Sequence, residues 1–124
     1  MDFEVYCDEN YPDLFSSSHP KARYLMIGSL WLPSTLRKEL KSNINELRKI
    51  HNAWGEIKWR KVSPSKLPFY EALIDLFIQY DSELRFRCIA IDNNDFDQSW
   101  HNNDHELGFY KFYYQLLHLS LIHI

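Results

Sequence analysis

A chain of 124 residues with 45% hydrophobic content has the length of one domain and enough apolar side chains for a core, which excludes a disordered chain. Its formal net charge of -3 gives no bulk electrostatic footprint for nucleic acid, so such binding requires a local basic patch. Two cysteines make neither a disulfide framework nor a zinc site, and no apolar run reaches the ~20 residues that span a bilayer.

The chain opens with Phe3, Val5 and Cys7 alternating with Glu4, Tyr6 and Asp8, the period-two pattern of a strand. An acidic opening that enters a strand directly is unlike a signal peptide, so a cytoplasmic protein is expected. "DENYPDLFSSSHPKA" is rich in turn formers and reads as a loop. "RYLMIGSLWL" is a second strand, continuous enough in apolar residues to expect burial on both faces. Cys7 and Cys88 both fall in strand-like runs, and reduced thiols of this kind are expected to be buried.

Pro33 and Ser34 then open a helix in which Leu36, Leu40, Ile44, Leu47 and Ile50 share one face. Arg37, Lys38, Lys41, Arg48 and Lys49 lie mostly elsewhere around it, the pattern of a solvated surface. "AWGEIKWRKV" reads as a Gly breaker followed by a short extended piece. "SPSKLPFYEALIDLFIQYD" is a second helix, with Leu73, Ile74, Phe77 and Ile78 as its expected buried stripe. "ELRFRCIAID" is a third strand ending at Asp92, and "LGFYKFYYQLL" begins a third helix. The order predicts an α/β domain with a mixed sheet flanked by helices, in which all three strands are apolar enough to be central.

Two strands end in an acid, Asp8 and Asp92. Sites in open α/β sheets gather where loops leave strand ends. Two carboxylates brought together there repel unless a cation lies between them, and hard oxygen ligands select magnesium or manganese. Strand-end acids that simply face water fit the same spacing. Glu56 precedes Lys58, Trp59, Arg60 and Lys61. An acid for metal, cations for phosphate and an indole for a base suit a phosphate-cleaving site, and an edge strand guarded by charges fits equally.

Other motifs carry less. "DNNDFD" has the start of a calcium loop, but Asp97 stands where the turn needs Gly and Asn103 where an acid is needed. His101 and His105 are four apart without the Glu that follows the first His in zinc helices. Ser16, Ser17 and Ser18 lack a nucleophile elbow. Three glycines, Gly28, Gly55 and Gly108, cannot build a phosphate loop.

In this order, "YCDEN", "YLMIGSLWLP", "GEIKWRKV", "FYEALIDLF", "FRCIAID" and "ELGFYKFYYQLL" resemble the DUF3800 family, over Tyr6 to Leu117. The resemblance implies an RNase H-like fold and a magnesium- or manganese-dependent nuclease acting on DNA or RNA. Asp8, Glu56 and Asp92 match the family's acids and would be the catalytic metal ligands, with Glu9 an outer ligand or a cap of the turn. Lys58 and Lys111 match basic positions, and with Trp59 and Arg60 they would contact nucleic acid. The alternative is a non-catalytic module of the same fold that binds nucleic acid or a protein partner.

The family's Asp-Glu-Ser-Gly is Asp8-Glu9-Asn10-Tyr11 here; the family's Gly permits a tight positive-φ turn, and the Asn10 beside that position tolerates such a conformation better than most residues. Family members also continue into a further strand and an Asp-bearing helix. The closing "LSLIHI", Leu119 to Ile124, resembles the translation of a sequencing adapter. Residues 1–118 are therefore expected to be one partial domain, incomplete at the C-terminus and inactive in this form, with 119–124 outside it.

Overall fold

The computed structural model of the chain describes residues 2–10, 23–92 and 105–122. The loop with Ser16, Ser17 and Ser18, the "DNNDFD" run beyond Asp92, and His101 with Asp104 lie outside the described residues. The elements run β1 (Phe3–Glu9), β2 (Tyr24–Pro33), α1 (Arg37–His51), α2 (Leu67–Gln79), β3 (Arg85–Asp92) and α3 (His105–Ile122). They form a mixed α/β structure with a three-stranded antiparallel sheet in the order β1-β2-β3.

Two hydrogen bonds fix how β1 lies on β2. The Asn10 amide donates to the Met26 carbonyl at 3.1 Å, and the Ser34 amide donates to the Asp2 carbonyl at 2.9 Å. Both obey one register, which places Asp8 opposite Gly28 and Glu9 opposite Ile27. Of the three strands expected to be central, only β2 is so among the described residues, where β1 and β3 are edges.

The contacts of the chain divide it into two compact units. The first, Met1–Glu4 with Trp31–Arg85, contains α1 and α2 and is called the helical unit; the second, Val5–Leu30 with Phe86–Ile124, contains α3 and is called the sheet unit.

In the sheet unit, Leu25, Ile27, Ile91 and Leu116 form the core, with Ile89, Phe112 and Tyr113 packed against it. Alternation decides which residues enter it. Leu25 and Ile27 are buried, whereas Tyr24 and Met26 between and beside them are exposed. Burial of β2 on both faces, expected along its whole length, holds only for Trp31, Leu32 and Pro33 at its far end. Cys7 and Cys88 are free thiols and exposed, not buried. Both lie on edge strands, where fewer neighbours cover a side chain.

In the helical unit, Leu32, Tyr80 and Leu84 form the core, with Leu36, Leu40 and Leu76 against it. Helix α1 carries Glu39 in its first turn and Arg48, Lys49 and His51 in its last, which complements the helix dipole. It ends at Asn52, whose φ of 50° is the left-handed cap conformation that Asn tolerates. Its expected apolar face reaches the core through Leu36 and Leu40, while Ile50 is 70% exposed.

Helix α2 opens with Pro68 in its first turn, where the missing amide costs nothing. Its buried side differs from the expected stripe. Phe69 is buried and Leu76 packs on the core, while Ile74, Phe77 and Ile78 are exposed. The helix is apolar almost all round, so periodicity alone could not choose a face. The short strand expected after Gly55 is absent; Trp59–Lys61 is a single 3-10 turn. Among the described residues, no helix is long and apolar enough to cross a membrane.

Candidate functional site

Two places carry the residues that the sequence singled out: the strand ends of the sheet unit, and the loop between α1 and α2 in the helical unit.

In the sheet unit, Asp8 and Glu9 face opposite sides of the sheet. Glu9 shares the α3 side with Ile27, and its Oε2 accepts a hydrogen bond from the Tyr113 hydroxyl. A Cβ placed on Gly28 would lie 3.3 Å from the Phe86 ring, so Gly28 and Phe86 share the other side. Asp8, opposite Gly28, joins them there. Along β3, Ile89 and Ile91 turn to the core, so alternation sends Asp92 to the side of Asp8.

Asp8 and Asp92 thus share a face, but they stand on the two edge strands with β2 between them. Neighbouring strands are ~4.8 Å apart, so their backbones are separated by about 10 Å or more. Each carboxylate also has a protein partner. Asp8 Oδ1 accepts the Glu9 amide at 2.9 Å. Asp92 is gripped by Arg23, with Nε 3.1 Å from both carboxylate oxygens and Nη2 2.7 Å from Oδ2. The Arg23 guanidinium also lies over the Tyr24 ring, 5.3 Å from its centroid. Asn10 Oδ1 accepts the Met26 amide at 2.6 Å, which ties the end of β1 to β2.

The electrostatics follow from this packing. The Tyr113 hydroxyl is held well above its ordinary value, first by burial, then by its bond to Glu9 and the charges of Glu9, Cys7 and Asp8. The Cys7 thiol is also raised, first by desolvation and then by the Glu9 carboxylate. Lys111 is exposed on α3.

In the helical unit, the loop after α1 is clamped from both helices. Arg48 Nη1 donates to the Ala53 and Gly55 carbonyls, each at 2.9 Å. The Tyr70 hydroxyl, from α2, accepts the Lys58 amide at 3.3 Å and donates to the Lys58 carbonyl at 3.0 Å. The Lys61 amide then closes on the Lys58 carbonyl at 2.9 Å, and the Val62 amide on the Trp59 carbonyl at 3.2 Å. This pinned turn thrusts Trp59 outward, 89% exposed. Lys58, Arg60 and Lys61 beside it are exposed too. Glu56 is exposed and pairs with Lys58, Oε2 to Nζ at 3.1 Å.

The expected metal ligands were Asp8, Glu56, Asp92 and Glu9. Among the described residues, no group of three or more His, Cys, Asp or Glu side chains gathers so as to hold a metal ion. Glu9 turns away from Asp8, and Asp92 is already neutralised by a guanidinium.

Sequence reasoning missed Arg23, Arg48, Tyr70 and Tyr113. A cation opening β2 and an acid ending β3 was a signal for an antiparallel pair. The tyrosines lay inside quoted motifs, where their hydroxyls gave no sign of their partners. No protein-family model, curated protein or solved structure matches this chain.

Proposed function

We propose that this chain binds nucleic acid through the loop from Trp54 to Lys61, as part of a domain that acts on phosphodiesters. The observation that carries this reading is Trp59, 89% exposed on a pinned turn between Lys58 and the pair Arg60 and Lys61. Cations neutralise phosphate and release counterions, while an exposed indole offers a stacking surface. The chain as a whole is acidic, yet residues 48–61 hold Arg48, Lys49, Lys58, Arg60 and Lys61 against a single acid, Glu56.

The test is fluorescence anisotropy of labelled oligonucleotides with the full chain. Binding that weakens with salt and with Lys58→Ala/Arg60→Ala/Lys61→Ala supports the proposal. Unchanged affinity in that triple variant sinks it.

A second reading is hydrolysis by a magnesium or manganese site in an RNase H-like fold. The resemblance to the DUF3800 family supports it, and so does the shared face of Asp8 and Asp92. Asp8 and Asp92 would hold the metal, with Glu9 outside them and Lys111 on the phosphate. A metal so held would activate water and stabilise the leaving oxygen. The test is made on the full chain with magnesium or manganese supplied. Magnesium-dependent cleavage of a labelled oligonucleotide, lost in Asp8→Asn, is the expected result; equal cutting by that variant removes Asp8 from the reaction.

A further inference from the structure

The loop that clamps Trp59 carries a second exposed indole, and together they bear on the form of nucleic acid that fits. Trp54 is 60% exposed and Trp59 is 89% exposed. Both belong to the segment that Arg48 and Tyr70 fasten to α1 and α2. Five residues of chain span at most about 18 Å, so both indoles fall within a short stretch of bound strand.

We infer that this loop is selective for single strands, stacking unpaired bases on Trp59 and Trp54 while Lys58, Arg60 and Lys61 follow the phosphates. The inference rests on the nucleic-acid reading above and narrows it to one substrate class. In a duplex the bases are stacked on one another and only their edges are open in the grooves. A flat indole face has nothing to stack on there without unstacking a base step. A single strand offers that face at every nucleotide, whatever the base. The cations alone do not discriminate, because both forms present phosphates.

Rigidity favours binding of either form and leaves the choice between them to the indoles. The Tyr70 hydroxyl holds both the amide and the carbonyl of Lys58, so the backbone beside Trp59 is ordered before ligand arrives. Less loop entropy is then lost on binding. The backbone of this loop is fixed by Arg48, whose guanidinium also lies 6.0 Å from the Phe69 ring centroid. Arg48 therefore supports the loop, and the outward cations are those of the turn.

The experiment compares one short labelled DNA strand, its RNA equivalent and their duplexes, at low and moderate salt, with the full chain and with Trp59→Ala, Trp59→Phe and Trp54→Ala. Single strands are expected to bind at least about tenfold tighter than duplexes. Trp59→Ala is expected to weaken single-strand binding by about 5- to 150-fold, the equivalent of ~1–3 kcal/mol per stacked base. Trp59→Phe should recover much of that loss. Trp59 is exposed, so circular dichroism of the variants should be unchanged. Equal or tighter binding of duplex overturns strand selectivity, as does Trp59→Ala binding normally while the triple cation variant does not. In both cases the nucleic-acid reading survives. If no oligonucleotide binds, that reading falls and takes this one with it. Self-association that Trp59→Ala abolishes, without oligonucleotide binding, assigns the loop to a protein contact and overturns both.

Discussion

The Tyr113 hydroxyl of α3 donates to the Glu9 carboxylate of β1, which ties the second acid of the Asp8-Glu9 pair to a helix. Hydrogen bonds to charged groups contribute about 1.5–3 kcal/mol, and loss of one partner exposes the other to a desolvation cost. Tyr113→Phe is therefore expected to destabilise the chain by about 1–3 kcal/mol in urea denaturation. The phenol is raised above 10.0 by burial first and by Glu9 second. A group whose folded pKa exceeds its unfolded value contributes fully below the unfolded pKa, and loses that contribution as pH rises through the folded one. The contribution of Tyr113 is thus complete at neutral pH and declines only above about pH 10. In an ultraviolet titration, Tyr113 should ionise late, as should Tyr80, which burial raises first; Glu9→Gln should move Tyr113 alone partway back.

How much of this was legible in the sequence depends on the kind of information. Apolar patterning found β1 by alternation and β2 and β3 as apolar runs, although the burial of β2 alternates, with Leu25 and Ile27 buried where Tyr24 and Met26 are exposed. It failed for the face of α2, where apolar residues surround the helix and only the position of Tyr80 and Leu32 decides that Leu76 is inside. It failed for Glu56–Lys61, whose alternating acid, cation and aromatic pattern fits a strand. Tyr70 and Arg48, from two helices, hold that segment as a turn instead. At the strand ends, Asp8 and Glu9 lie on opposite sides of the sheet, as neighbours along a strand do. That Asp92 would spend its charge on Arg23 needed the third dimension.

The Cys7 thiol gives an independent reading of the Glu9 charge. Cys7 is raised by desolvation first and by Glu9 second, and the thiolate is the reactive form. In a Cys88→Ser background, Glu9→Gln should speed the reaction of Cys7 with an aromatic disulfide near neutral pH. The same change should leave Cys88 untouched in a Cys7→Ser background. Equal rates in both arms would remove Glu9 from the surroundings of Cys7. Both thiols should react without denaturant, since both are exposed.

Arg23, just before β2, and Asp92, ending β3, make a paired contact, with the Arg side chain 56% exposed and that of Asp 15%. Solvent screening keeps such pairs at about 0.2–1 kcal/mol. Its bidentate geometry places it near the upper end. Asp92→Asn should lower the urea midpoint modestly, and the loss should shrink at high salt. Arg23→Ala should cost a similar amount. A much larger loss for Asp92→Asn than for Arg23→Ala would show that Asp92 supports the sheet by some contact other than this pair.

Gly28 offers a test of how firmly the Asp8 side of the sheet is packed. It lies opposite Asp8, and its φ is not positive, so Ala meets no backbone strain there. An Ala Cβ would lie 3.3 Å from Cε2 and 3.4 Å from Cζ of Phe86. That contact is tight, and relief requires the ring to move by a few tenths of an ångström. Phe86 is 60% exposed on an edge strand, so its ring has room to give. Replacing Gly with Ala at a compatible site stabilises by about 0.4–1 kcal/mol through the unfolded chain. The small steric cost should consume part of this gain. Gly28→Ala is therefore expected to change stability by less than about 1 kcal/mol, on the stabilising side. A loss above about 2 kcal/mol, relieved by adding Phe86→Ala, would show that the ring is held in place, with overpacking as the cause.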